Sequence, residues 1–148
     1  MGKLRLLFLT ALLALAGCGE PASLTLADGR QQTLNDFKGN WLVVNYFAEW
    51  CQPCLRELPL LNELNDRQGP KVLAVSFDAL APEALQALGE RHQMTMPVAA
   101  SLSGPWPFES PRVLPTTFVI DPDGQLAERH QGELKAEDIV RWREKYWE

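Results

Sequence analysis

Two cysteines three positions apart, Cys51 and Cys54 in Trp50-Cys51-Gln52-Pro53-Cys54, are the residues of this chain best suited to chemistry. A thiolate attacks a disulfide sulfur, and a second thiol close by releases the mixed disulfide that forms. Residues 41–47 are an apolar and β-branched run broken only by Asn45, the pattern of a strand buried on both faces. From Pro53 to residue 68, Leu55, Leu58, Leu61 and Leu64 recur at three-residue steps, as on one drifting face of a helix. The cysteines therefore fall where a strand hands over to a helix. Backbone N–H groups there favour the thiolate of Cys51, whose pKa is about 8.5 when free. Cys51 is expected to attack and Cys54, one turn further in, to resolve. A purely structural bridge is disfavoured, because closing so short a loop removes little chain entropy. A zinc site would need more ligands, and His92 and His130 lie far along the chain.

The third cysteine, Cys18, belongs to a different signal. Lys3 and Arg5 give a positive start, and positions 6–16 are apolar apart from Thr10. That run is too short to span a bilayer, which takes about 20 apolar residues, and suits a signal-peptide core. Leu15-Ala16-Gly17-Cys18 resembles the bacterial lipobox, in which cleavage precedes a cysteine whose thiol is acylated. The expectation is a signal peptide over 1–17, a lipidated N-terminus and linker over 18–22, and a folded domain over 23–148. The rival is an ordinary exported chain with a chance cysteine. Gly19 rather than Asp after the cysteine resembles the pattern of outer-membrane export. Loss of 1–17 takes Lys3 and Arg5 and no acid, leaving 12 basic against 19 acidic side chains, a formal charge of −7. With no basic run, nothing recruits nucleic acid. A hydrophobic fraction of 46% with five tryptophans suits one real core and excludes disorder.

The elements that must hold the cysteines follow from the remaining pattern. Positions 23–26 and 30–33 flank Asp28-Gly29 and read as an N-terminal hairpin. Positions 71–77 read as a second buried strand, and 82–92 as a helix with Pro82 in its first turn. Pro59 is expected to kink the first helix. Residues 101–111, with three prolines and a glycine, read as loop. Positions 116–120 and 125–129 form a hairpin across Asp121-Pro122-Asp123-Gly124, and 136–147 an amphipathic closing helix. The sum is an α/β chain with a central mixed β-sheet flanked by helices on both faces.

Trp50-Cys51-Gln52-Pro53-Cys54, a helix with a proline, and then Leu114-Pro115-Thr116-Thr117-Phe118 resemble the thioredoxin superfamily. The resemblance implies the thioredoxin fold. It also implies that Pro115 is cis and packs against the disulfide, and that the backbone just before it, at Leu114, pairs with substrate. Read on its own, Pro115 would be an ordinary trans residue opening a strand. The stretch from Asn45 through Cys51 and Cys54 to Pro59 is most similar to the TlpA-like or ResA-like exported reductases, over residues 23–148. Thioredoxin has a buried aspartate at the position of Asn45, which cannot titrate. In the TlpA-like group a glutamate three residues after the second cysteine does related work, and Glu57 occupies that place. One helical turn from Cys54, a partly buried carboxylate could take or give the resolving thiol's proton; the other reading is a solvated helix acid. Proline before the second cysteine resembles the reducing members, which implies a reductase of protein disulfides, with a role in cytochrome c maturation as one candidate.

The implied partners are a disulfide-containing protein, a thiol electron donor such as a membrane thiol relay, and a membrane held through lipid on Cys18. The implied place is the periplasmic face of a bacterial membrane, and no cofactor is expected beyond the Cys51–Cys54 disulfide. Trp50, Gln52 and Pro53 are expected at the substrate surface. Trp106, in an aromatic and proline-rich segment that departs from the family pattern, either walls the cysteines or caps the core. Two rival functions remain. A thiol peroxidase would use a lone cysteine in a Thr or Ser-rich loop with an Arg nearby. A copper-binding module would use the cysteines with His92 or Met96, since His92-x-Met94-x-Met96 presents soft ligands, although Met is also a common core filler.

Overall fold

The structure, a computed structural model, describes residues 19–148, so the expected signal sequence and Cys18 lie outside the described residues. The hairpin forms as β1 (Ser23–Leu26) and β2 (Gln31–Thr33), followed by a 3-10 turn at Leu34–Phe37. Then come β3 (Leu42–Phe47), α1 (Gln52–Asp66), β4 (Lys71–Ser76), α2 (Pro82–Arg91), β5 (Val98–Ser103), β6 (Thr116–Ile120), β7 (Leu126–Gln131) and α3 (Ala136–Trp142). α1 runs through Pro59 as one continuous helix. The seven strands make one mixed sheet in the order β2-β1-β5-β4-β3-β6-β7. β3 lies between parallel β4 and antiparallel β6, so the strand that leads into the cysteines is an interior one.

Alternation along the strands sorts the core into two faces. Val43 and Phe47 of β3, Val72 and Ala74 of β4 and Val119 of β6 pack with Leu58 and Leu61 of α1, Leu85 and Leu88 of α2, and Ile139 and Trp142 of α3. Both crossovers, β3-α1-β4 and β4-α2-β5, step the same way across the sheet, and two right-handed crossovers in one direction leave both helices on one face. The opposite face, with Leu42, Val44, Leu73, Val75, Phe118 and Ile120, is covered by the 3-10 turn and by Trp106 and Phe108. Phe108 stacks on Phe118 with ring centroids 4.0 Å apart. Among the described residues the helical cover is thus unequal, three α-helices on one side and a single 3-10 turn on the other.

Two elements differ from expectation. Residues 101–103 are not loop but the end of β5, antiparallel to β1. Val98-Ala-Ala-Ser-Leu-Ser103 has one β-branched residue, so its strand character comes from its neighbours and not from propensity. The closing helix is α only to Trp142 and continues as a π turn over Arg143–Trp147. The wider turn accompanies the packing of Tyr146 and Trp147 on Trp41 and the reach of Tyr146 to Glu128.

Glu128 on β7 anchors that C-terminal segment. Its Oε1 accepts from Arg141 Nη1 and Trp142 Nε1, both at 2.8 Å, and its Oε2 from Tyr146 Oη at 2.7 Å and Lys145 Nζ at 3.2 Å. Burial alone would raise the carboxyl, but the four donors outweigh it and hold the pKa at about 2. A depressed carboxyl stabilises the fold above its ordinary value of 4.5, and the stabilisation is lost as pH falls through about 2. Glu128→Ala is expected to cost about 1–2 kcal/mol at neutral pH. Thermal melts should fall by roughly 3–8 °C; an unchanged Tm would show that the four contacts are not holding the segment.

Candidate active site

The Ala48-Glu49-Trp50 turn joins the buried end of β3 to α1, and Cys51 is the N-cap of that helix. Gln52 and Pro53 form the first turn, where proline's missing N–H costs nothing. Cys51 and Cys54 are joined as a disulfide, and the Cys54 backbone N–H donates to Cys51 Sγ at 3.3 Å. No acidic side chain occupies the first turn of α1, so the partial positive charge at this helix end is not offset there. Cys51 is 5% exposed and Cys54 0%, so only the first sulfur's residue reaches solvent. A free thiolate at Cys51 can therefore meet a partner, and Cys54 can meet only Cys51.

Trp50 stands 63% exposed beside the pair. Its indole N–H donates to Asp78 Oδ2 at 3.0 Å, and its ring meets Phe77 edge-on with centroids 6.3 Å apart. Gln52 is exposed and Pro53 half-buried. On the other side of β3, the Leu114–Pro115 peptide is cis. Tyr46 pairs with Thr116 in the β3–β6 ladder, so Pro115 sits one position beyond, level with the last residue of β3. Pro115 is buried and Leu114 half-buried. Trp106 is elsewhere. It lies on the opposite face of the sheet with its indole N–H shared between the Ser23 and Ser103 carbonyls, both at 3.1 Å, and it caps the core there.

Glu57 is the largest departure from a solvated helix acid: it is 0% exposed. Its Oε1 accepts from Asn45 Nδ2 and its Oε2 from the Leu134 backbone N–H, each at 2.6 Å. Burial pushes its carboxyl up to about 7, against the lowering pull of Leu134, Asn45 and Lys135. A carboxyl in that range can take or give a proton near neutral pH. The buried stripe of α1 is Cys54, Glu57, Leu58, Leu61 and Leu64, with Leu55 only half-buried at its edge. Cys54 and Glu57 thus share the helix face that meets the sheet.

The family resemblance sets Asn45 and Glu57 side by side in role only; the structure puts them in contact and adds Thr117, with Asn45 hydrogen-bonded to both. The available signal was a lone amide inside an otherwise apolar strand, since a buried polar group needs a partner. His92 and Met96 make other contacts. His92 Nε2 lies 3.0 Å from Glu49 Oε1, an oxygen that also accepts from Arg91. Met96 is 3% exposed in the core. Among the described residues, no group of three or more His, Cys, Asp or Glu side chains is placed to hold a metal ion. Among them too, no helix is long and apolar enough to cross a membrane.

Comparison with known proteins agrees with this geometry. Residues 19–129 match the model of the AhpC/TSA family. The thiol-disulfide oxidoreductase ResA of Geobacillus kaustophilus is 32% identical over 131 residues, 80% of this chain and 70% of the relative. Among solved structures, a thiol:disulfide interchange protein of the thioredoxin family from Chlorobium tepidum superposes with a TM-score of 0.68 at 22% identity, covering 86% of this chain and 94% of its own. The exposed lipoprotein thioredoxin Etrx1 of Streptococcus pneumoniae does so with a TM-score of 0.67 at 24% identity, covering 85% and 99%.

Proposed function

The chain belongs to the AhpC/TSA family and is a thiol-disulfide oxidoreductase related to ResA, and from that premise we propose that it is a lipid-anchored reductase of protein disulfides on the periplasmic face of a bacterial membrane. The observation that carries the reading is the Cys51–Cys54 pair at the start of α1, with surface on Cys51 alone. In the reducing direction Cys51 thiolate attacks a partner disulfide. One partner sulfur leaves, and a mixed disulfide joins Cys51 to the other. Cys54, giving its proton to Glu57, then attacks the Cys51 sulfur. The partner departs with both of its sulfurs reduced, and two electrons have passed from the dithiol to it. A donor dithiol returns the pair to its reduced form. Anchoring through Cys18 would keep the site near a membrane thiol relay as donor, and assembly of c-type cytochromes is one process such a reductase would serve.

The chemistry and its direction are tested together by equilibrating the purified chain in glutathione buffers and counting free thiols by alkylation. One two-electron transition is expected, with a midpoint below about −220 mV, nearer to the reducing than to the oxidising members of the fold. A midpoint above about −150 mV would reverse the direction. No transition at all would remove the function. Reduced protein should also precipitate insulin by reducing it, and consume peroxide no faster than a simple dithiol.

A further inference from the structure

A polar side chain in the middle of a buried strand is unfavourable unless it is hydrogen-bonded. Asn45 is 0% exposed and lies directly opposite Thr117 in the β3–β6 ladder. Strand alternation turns both residues to the face packed by α1, where Glu57 sits. Asn45 Nδ2 donates to Glu57 Oε1 at 2.6 Å and to Thr117 Oγ1 at 2.9 Å, whereas its own Oδ1, equally buried, has no hydrogen-bond partner. Both amide protons are in use while the acceptor is idle. That is the orientation an ionised Glu57 requires, because a carboxylate accepts only, and Asn45 and the Leu134 N–H supply one donor to each of its oxygens.

We propose that Asn45, held in place by Thr117, is a positioning residue that sets the proton affinity of Glu57 and thereby the ease with which Cys54 loses its proton. The inference rests on the proton role given to Glu57 above and adds the group that tunes it. An amide is suited to the task because it has a donor end and an acceptor end. Rotated by half a turn, it offers Oδ1 to the protonated acid, and the Thr117 hydroxyl can donate as readily as accept. A carboxylate at this place would compete for the proton, and an apolar side chain would serve neither state. No electrons pass through Asn45. The proton leaves Cys54 for Glu57 and returns to the thiol chemistry when the pair is reduced again.

The remaining groups around Glu57 do not supplant Asn45. On α1 these are Cys54 and Arg56, and Arg56 is paired with Glu133 at 2.6 Å. Beside Leu134, Glu133 raises the Glu57 carboxyl and Lys135 lowers it, while these two also pair with each other at 2.8 Å. From β7, His130 stands opposite Thr117 in register and turns to Asp138 at 4.0 Å and edge-on to Trp142. From β3 and β6 the facing groups are Asn45 and Thr117, neither of which titrates.

The test is a carboxyl-carbon NMR titration of the purified full chain labelled at glutamate, with the Glu57 signal assigned by its loss in Glu57→Gln. In Asn45→Leu the Glu57 midpoint should rise by about one pH unit, roughly tenfold tighter proton binding. Thr117→Val, which removes the acceptor that orients the amide and keeps the side-chain shape, should move it in the same direction by about two- to fourfold. The pH profile for release of a Cys51 mixed disulfide should follow both shifts. A midpoint that stays in place or falls in Asn45→Leu overturns the proposal. If that variant does not fold, an unmoved midpoint in Thr117→Val overturns it instead. Failure of the Glu57 reading would show differently, as a release profile identical in Glu57→Gln and the parent, whereas the directly observed carboxyl still reports on Asn45.

Discussion

Replacing Cys51 by serine is expected to lower insulin reduction at least about a thousandfold, whereas replacing Cys54 by alanine should leave the first attack intact and stall the release of the partner. The asymmetry comes from exposure and position. Cys51 caps α1 and has the only solvent contact of the two, while Cys54 is sealed beneath it. A serine hydroxyl at 51 cannot ionise at neutral pH, so the helix end has no thiolate to stabilise. With alanine at 54 the mixed disulfide at Cys51 forms but lacks an internal thiol to break it. Expressed in its native host and separated without reductant, Cys54→Ala should carry covalent partners that dithiothreitol releases. Cys51→Ser should carry none. Equal trapping by both variants would mean that the sulfurs are interchangeable and that the burial difference does not assign their roles.

The placement of the two cysteines is legible in the sequence because its signals are local. A buried strand, a cysteine at a helix N-cap and a proline in the first turn all lie within the dozen residues around Cys51, and each has its own physical cause. The pairing of β5 with β1 was not readable from residues 98–103. Its strand state depends on partners about 75 residues away, and Ala, Ser and Leu do not announce it. Trp106 was open for the same reason. Its indole finds acceptors on β1 and β5, a contact that exists only once those strands are adjacent. The sequence reading places helices on both faces; the single-sided packing of α1 and α2 depends on the strand order, because two like-handed crossovers in one direction leave the other sheet face to be closed by whatever else is available. Here that is the 3-10 turn and the Trp106–Phe108 segment.

Glu57 shows how a one-residue difference in reading a helix stripe changes the chemistry. With Leu55, Leu58, Leu61 and Leu64 as the apolar line, Glu57 could face water. With Cys54, Glu57, Leu58, Leu61 and Leu64 as the buried line, it is a carboxyl inside the core. The second line obeys the spacing of three and four that a straight helix needs, and a glutamate within it stands out as a residue retained against the cost of burial.

That cost gives Glu57→Gln two separable consequences. Glutamine keeps the size and can hydrogen-bond Asn45 and Leu134, but it cannot take a proton from Cys54. Release of a trapped partner by Cys54 is therefore expected to slow about 10²-fold or more near pH 7. Its inflection near the Glu57 value of about 7 should vanish. The second consequence concerns stability. Burial raises the folded-state pKa from 4.5 to about 7, so the native state binds a proton more tightly than the unfolded chain. Stability from this source is fully present below pH 4.5, falls as pH rises through about 7, and is flat above. The variant lacks this slope. Relative to the parent, it should gain about 3 kcal/mol between pH 4.5 and pH 8, at about 1.4 kcal/mol for each unit separating the two pKa values. Urea unfolding across that range measures the difference directly. Parallel curves would mean that Glu57 enters the core without a raised proton affinity, and the proton route from Cys54 would lose its acceptor.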